Sequence, residues 1–184
     1  MSAARKRAVA AGVRTATEVH AAWELPYGPL AAAQARGALS SWLAGFGIDP
    51  AGGPGFDIVL ATSEVAANAG VHGRPPVLLD AWLESGGNGW LVTVCVSDED
   101  PQLPAPPAPL PLAEHGRGLG IAAALARRLE FCPTPEGGKA AWLTITVPAS
   151  AGTAGSGRAA HRNGLFGMNS ELSPGPACRE ALAS

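Results

Sequence analysis

In the run DIVLATSEVAANAGVHG, residues 57–73, Glu64 and Asn68 stand four apart. On a helix of about 3.6 residues per turn they share one stripe, flanked by Leu60, Ala61, Ala67 and Val71. A carboxylate there can orient or deprotonate an attacking hydroxyl, and an amide oxygen can coordinate a hard cation. With Asp57 and His72, the same two residues equally suit the solvated edge of an amphipathic helix. A second carboxylate, Asp98, closes the run VCVSD. It suits either the receipt of a hydrogen bond from a ligand's amino group at the mouth of a sheet or an ordinary turn. The third feature is Gly116-Arg117-Gly118-Leu119-Gly120, which leads into IAAALARRL. Alternating glycines let backbone approach a ligand, and free N–H groups at a helix start favour phosphate oxygens, with Arg117 as a charged partner. Glycines also serve tight turns and close packing. The run is not the dinucleotide fingerprint, since its third glycine comes too early and no strand leads into it, and no GxxxxGK[ST] loop is present.

The elements that must position these groups follow from periodicity and punctuation. Val19 to Leu25 reads as a first strand, ended by Pro26 and Gly28. Pro29 suits a helix start, and the Ala- and Leu-rich stretch Leu30 to Gly45 a first helix. The second helix runs from Pro54 or Asp57 to His72, closed by Gly73 and the pair Pro75-Pro76. Val77, Leu79, Ala81 and Leu83 alternate with Leu78, Asp80, Trp82 and Glu84, the two-residue period of a strand. Trp90, Val92, Val94 and Val96 repeat it beyond Gly86-Gly87-Asn88-Gly89, which predicts a hairpin. A third helix is predicted over Gly118 to Phe131 and a last strand over Ala141 to Val147. Between Asp98 and Gly116 lie six prolines, from Pro101 to Pro111, too many for helix or central strand. A structureless loop of that length is more often a functional cover than a plain connector. Helices on one face of a mixed, mostly antiparallel sheet give an α+β two-layer sandwich.

Taken in order, the three segments resemble the nucleotide-binding boxes of the GHKL (Bergerat-fold) ATPases, and within them the small bacterial anti-sigma-factor serine kinases and their actinobacterial relatives. TSEVAANAGVHG resembles the family's first box, VSDEDPQLP its adenine-binding box and HGRGLGIAAALA its third; the closing strand GGKAAWLTITV also agrees. The similarity spans residues 18–148. It implies that Glu64 is the general base for the attacking hydroxyl and that Asn68 coordinates Mg²⁺ bridging the phosphates of ATP. It further implies that Asp98 receives the adenine amino group. Gly116, Arg117, Gly118, Leu119 and Gly120 would bind the phosphates, the glycines acting as the hinge of a lid formed by residues 99–115. Two departures stand out: Asp100 occupies a position where the family has glycine, which adds an acidic group near the nucleotide, and the lid is unusually proline-rich.

The resemblance implies a serine/threonine protein kinase acting on an anti-sigma-factor antagonist of the STAS type, with a sigma factor as a further partner and transcription as the process controlled by partner switching. A non-catalytic, nucleotide-dependent regulator and a degenerate scaffold without nucleotide are the alternatives. Histidine-kinase membership is not expected, because no helical hairpin bearing a phospho-accepting His precedes the boxes. A homodimer is a family-level expectation. Trp42 and Leu43 on the first helix suit either such a face or the core.

Composition sets the outer bounds. The chain has 184 residues, 47% apolar, with a net charge of −2, which excludes global disorder and argues against direct nucleic-acid binding, since phosphates need a concentrated Lys/Arg surface. No apolar run reaches the roughly 18 to 20 residues of a membrane span. Residues 1–17 carry Arg5, Lys6, Arg7 and Arg14 without a secretory core and read as the mobile leader of a cytoplasmic protein. Residues 149–184 read as a flexible tail. Three cysteines, Cys95, Cys132 and Cys178, form no CxxC pair, so neither a disulfide framework nor a zinc site is expected.

Overall fold

The computed structural model describes residues 18–86, 89–104 and 117–149. The predicted leader, all of the tail after Ala149, the centre of the hairpin turn, most of the Pro-rich loop and Gly116 lie outside them. The elements run β1 (Glu18–Leu25), α1 (Leu30–Ala44), α2 (Gly53–His72), β2 (Val77–Gly86), β3 (Gly89–Asp98), α3 (Arg117–Leu125), β4 (Arg128–Pro133) and β5 (Lys139–Pro148). The strands form one sheet in the order β1-β2-β3-β5-β4.

Every strand pair is antiparallel, so the sheet is more uniform than the mixed one predicted. The α+β two-layer sandwich is as expected. Alternation decides its inner face: Val77, Leu79, Ala81 and Leu83 of β2 are buried with Val92, Val94 and Val96 of β3 and Leu143 of β5. In α1 the buried residues Ala31, Ala35, Leu39 and Leu43 recur every fourth position, a stripe that faces α2. Leu43 is therefore core, and Trp42 packs against the same core. Helix α2 lies between α1 and α3 and rests on β3 and β5. That central seat explains why so much of it is small: Ala61, Ala66, Ala69 and Gly70 are buried. At Gly70 a Cβ would strike the Gly28 carbonyl oxygen and Ala31, while Gly28 N–H donates to the Gly70 carbonyl at 2.9 Å. The small residue lets the end of α2 touch the start of α1.

Three expectations are corrected. The third helix stops at Leu125, and RLEFCP supplies the edge strand β4 instead of a continuation of the helix to Phe131. Arg128, Glu130 and Cys132 alternate there with Leu129 and Phe131, which pack on the core; the strand is won by pairing to β5, a tertiary contact that overrides local helix preference. Second, α3 starts at Arg117, one residue before the predicted Gly118, so Arg117 to Gly120 form its first turn. Third, Cys132 is disulfide-bonded, a pairing that an odd count of widely spaced cysteines does not reveal. Cys95 is a free, buried thiol, as a small core hydrophobe should be. Among the described residues no helix is long and apolar enough to cross a membrane.

Candidate nucleotide site

Helix α2 projects Glu64 and Asn68 from successive turns, both half-buried. Asn68 opens onto a small cavity between α2 and the sheet. Val65 and Ala69 line it from the helix, Val96, Phe131 and Ala141 from the strands, and Asp98 and Lys139 complete the lining. A mostly apolar lining with a few polar groups is the usual composition of a small-molecule site. The sequence placed Asn68 and Asp98 thirty residues apart, and the fold brings them to one cavity.

Glycines make the close approaches. A Cβ on Gly118 would fall on a carboxylate oxygen of Glu64, so the first turn of α3 is seated directly over that side chain. A Cβ on Gly73 would collide with the Asp98 carboxylate, and one on Gly138 with the Asp98 carbonyl oxygen. Gly73 N–H also caps α2 by donating to the Ala69 carbonyl at 2.9 Å. Of the other predicted residues, Arg117 is exposed, Leu119 packs on the core, and Gly120 has open space where a side chain would stand.

The electrostatics centre on Asp98. Its Oδ1 accepts from Lys139 Nζ at 2.9 Å, from Asp100 N–H at 2.9 Å and from Arg74 N–H at 3.4 Å. Lys139 Nζ donates also to the Asp100 carbonyl at 3.2 Å and to Asp100 Oδ2 at 3.4 Å. Arg74 Nε lies 3.9 Å from Asp100 Oδ1. Burial would raise the Asp100 carboxyl, but the Gln102 N–H, the Lys139 ammonium and the Arg74 guanidinium outweigh it and hold it below its ordinary value. Lys139 is the residue that sequence reasoning missed. It opens β5 directly opposite Asp98 in the β3–β5 register, and only that register turns a lysine after two glycines into a buried partner. Asp100, the residue that departs from the family pattern, is its second counter-charge.

The profile of the histidine kinase-like ATPase domain matches residues 3–145. The chain belongs to the histidine kinase-like ATPase family. Membership in this GHKL superfamily implies ATP binding, and Gly118 keeps a side chain away from the Glu64 carboxylate. For Mg²⁺ the protein donor set is lean. Among the described residues no group of three or more His, Cys, Asp or Glu side chains could hold a metal, so Asn68 would supply an amide oxygen and phosphates most of the remaining ligands. Among solved structures, the chain is similar to the RsbU and RsbW domains of Rv1364c from Mycobacterium tuberculosis, at 26% identity and a TM-score of 0.48, over 71% of this chain and 33% of that one. This ATPase-family chain thus spans about a third of the length of that protein chain. No functionally curated protein matches it.

Proposed function

We propose that the protein is an ATP-dependent serine/threonine protein kinase of the anti-sigma-factor type, acting in the cytoplasm on a STAS-type antagonist, with a sigma factor as the partner released or captured in the switch. The observation that carries the reading is the meeting of Asn68 and Asp98 on one cavity, with Glu64 one helical turn from Asn68 and the start of α3 folded over it. Family membership supports the ATP-dependent part, and the resemblance of the three boxes supports the partner class.

In this reading Asp98 receives the base amino group and Asn68 orients the phosphates. The Asn68 amide oxygen would help to hold Mg²⁺, which would supply charge neutralisation at the phosphates. Glu64 accepts the proton of the attacking seryl or threonyl hydroxyl as its oxygen bonds to the terminal phosphorus and ADP departs. Phosphoryl transfer asks mainly for such positioning and charge neutralisation. Arg117 and the N–H groups of the first turn of α3 offer the phosphates a positive end.

The test is incubation of the full chain with Mg-ATP and a candidate antagonist, followed by mass spectrometry of that protein. Phosphate on a serine or threonine is the expected result, lost in Glu64→Gln, while Asn68→Ala loses Mg-dependent ATP affinity. ATP binding without transfer to any such partner would sink the kinase reading. The charge pairs around Asp98 favour a second reading, a regulator that binds nucleotide without transferring phosphate; partner binding and cellular function that persist in Glu64→Gln would select it.

A further inference from the structure

We propose that Lys139 sets nucleotide affinity by neutralising the Asp98 carboxylate before the base amino group reaches it. The inference rests on the nucleotide reading of the cavity and adds to it a residue that the reading does not use. An ammonium has three N–H bonds, and Lys139 has three acceptors within reach: Asp98 Oδ1, the Asp100 carbonyl oxygen and Asp100 Oδ2. Its side chain is 6% exposed and that of Asp98 is 3% exposed, so the pair is interior to the site. Both residues line the same cavity, and the cross-strand register holds them face to face.

A base amino group entering this cavity therefore meets a carboxylate that is already neutralised. Among the described residues every hydrogen bond accepted by the Asp98 side chain falls on Oδ1, which leaves Oδ2 for the newcomer. A hydrogen bond to a charged partner is worth more than one between neutral groups. Compensation by Lys139 removes much of that advantage. Expelling the ammonium is no remedy, because breaking one side of a buried ion pair strands the other charge. Asp100 reinforces the arrangement by holding Lys139 from a second side. The base amino group thus adds little to ATP affinity while Lys139 is present, and adds its full share once the ammonium is gone.

The experiment is calorimetric titration of the full chain, and of Lys139→Met and Lys139→Thr, with Mg-ATP and with purine riboside triphosphate, which lacks the amino group. Methionine keeps the length of the side chain without its charge; threonine is shorter and can still donate to Asp98. The wild-type chain is expected to bind the two nucleotides within about twofold of each other, and both variants to bind ATP about tenfold tighter and to prefer it to the desamino nucleotide by about tenfold. An unchanged preference, or weaker ATP binding in both variants, overturns the role of Lys139 alone and leaves the nucleotide reading standing. Should both variants fail to fold, as thermal unfolding would report, the wild-type comparison decides: a tenfold preference for ATP overturns the proposal. Binding of neither nucleotide by any of the three proteins defeats the nucleotide reading and this inference with it.

Discussion

At Gly118 a single hydrogen atom is what separates the first turn of α3 from the carboxylate of Glu64. Gly118→Ala should push the Glu64 carboxylate aside; the atom met is the far end of a flexible side chain, so the change costs little stability and acts on the position of that carboxylate. Slower phosphate transfer at a urea midpoint close to that of the wild-type chain is the expected readout. Gly120 sits two residues on in the same turn with open space around it, so Gly120→Ala should instead be neutral or stabilise by up to about 1 kcal/mol through helix propensity. Equal effects at the two glycines would contradict the seating of α3 on Glu64. Cys95 makes a different prediction. Burial, and then the nearby Asp80 carboxylate, push its thiol well above the ordinary value, and the thiolate is the reactive form. Iodoacetamide at about pH 8 should leave Cys95 unmodified in the folded protein and alkylate it in urea, as peptide mass mapping would show. Residue types and spacing were enough to nominate Glu64, Asn68, Asp98 and Gly118 from the sequence. Lys139 was not legible, because its meaning comes from a partner 41 residues away across the β3–β5 ladder.

Elements were legible where their period was long and their ends were punctuated. Helix α2, with Pro54 in its first turn and Gly73 at its end, and strands β2, β3 and β5, each with a long apolar run, fall close to their predicted bounds. Strand β4 did not, for a physical reason. Ala122, Leu125, Ala126 and Leu129 continue a helical spacing across the true break, and a six-residue edge strand gives only three cycles of alternation to oppose it. Its place is set by β5, to which Leu129 and Phe131 pair opposite Leu143 and Ala141, and through Phe131 it supplies one wall of the cavity. The core and the cavity are separable at this scale. Leu79 is fully buried on β2 and contributes nothing to the cavity walls. Leu79→Ala should cost about 2–5 kcal/mol, the usual loss for a buried leucine, and lower the denaturant midpoint, while ATP affinity measured well below the unfolding transition stays at the wild-type value. A large fall in affinity at full folding would mean that the sheet transmits strain to the site.

Across the whole molecule charge is scarce, 15% of residues against the usual ~25%, and beside the cavity four charged residues gather: Asp98, Asp100, Lys139 and Arg74. Two acids and two bases balance there, so changing the protonation of one member should be felt in the stability of the fold. Asp100 is the member whose direction is defined, with its folded carboxyl held below the ordinary value. A carboxyl depressed in the folded state binds its proton more readily when unfolded. Its contribution is therefore complete above about pH 4, the ordinary carboxylate value, and is lost as the pH falls through the lower folded value. Asp100→Asn removes the charge at every pH and leaves Lys139 with one fewer counter-ion. The thermal midpoint of Asp100→Asn should lie below that of the wild-type chain at pH 7, and the gap should close as both are acidified toward pH 3. Other carboxylates titrate in both proteins alike, so the difference between the two curves isolates Asp100. Parallel curves across that range would mean that the Asp100–Lys139 contact carries no net stability, and that Lys139 is held in the cavity by Asp98 alone.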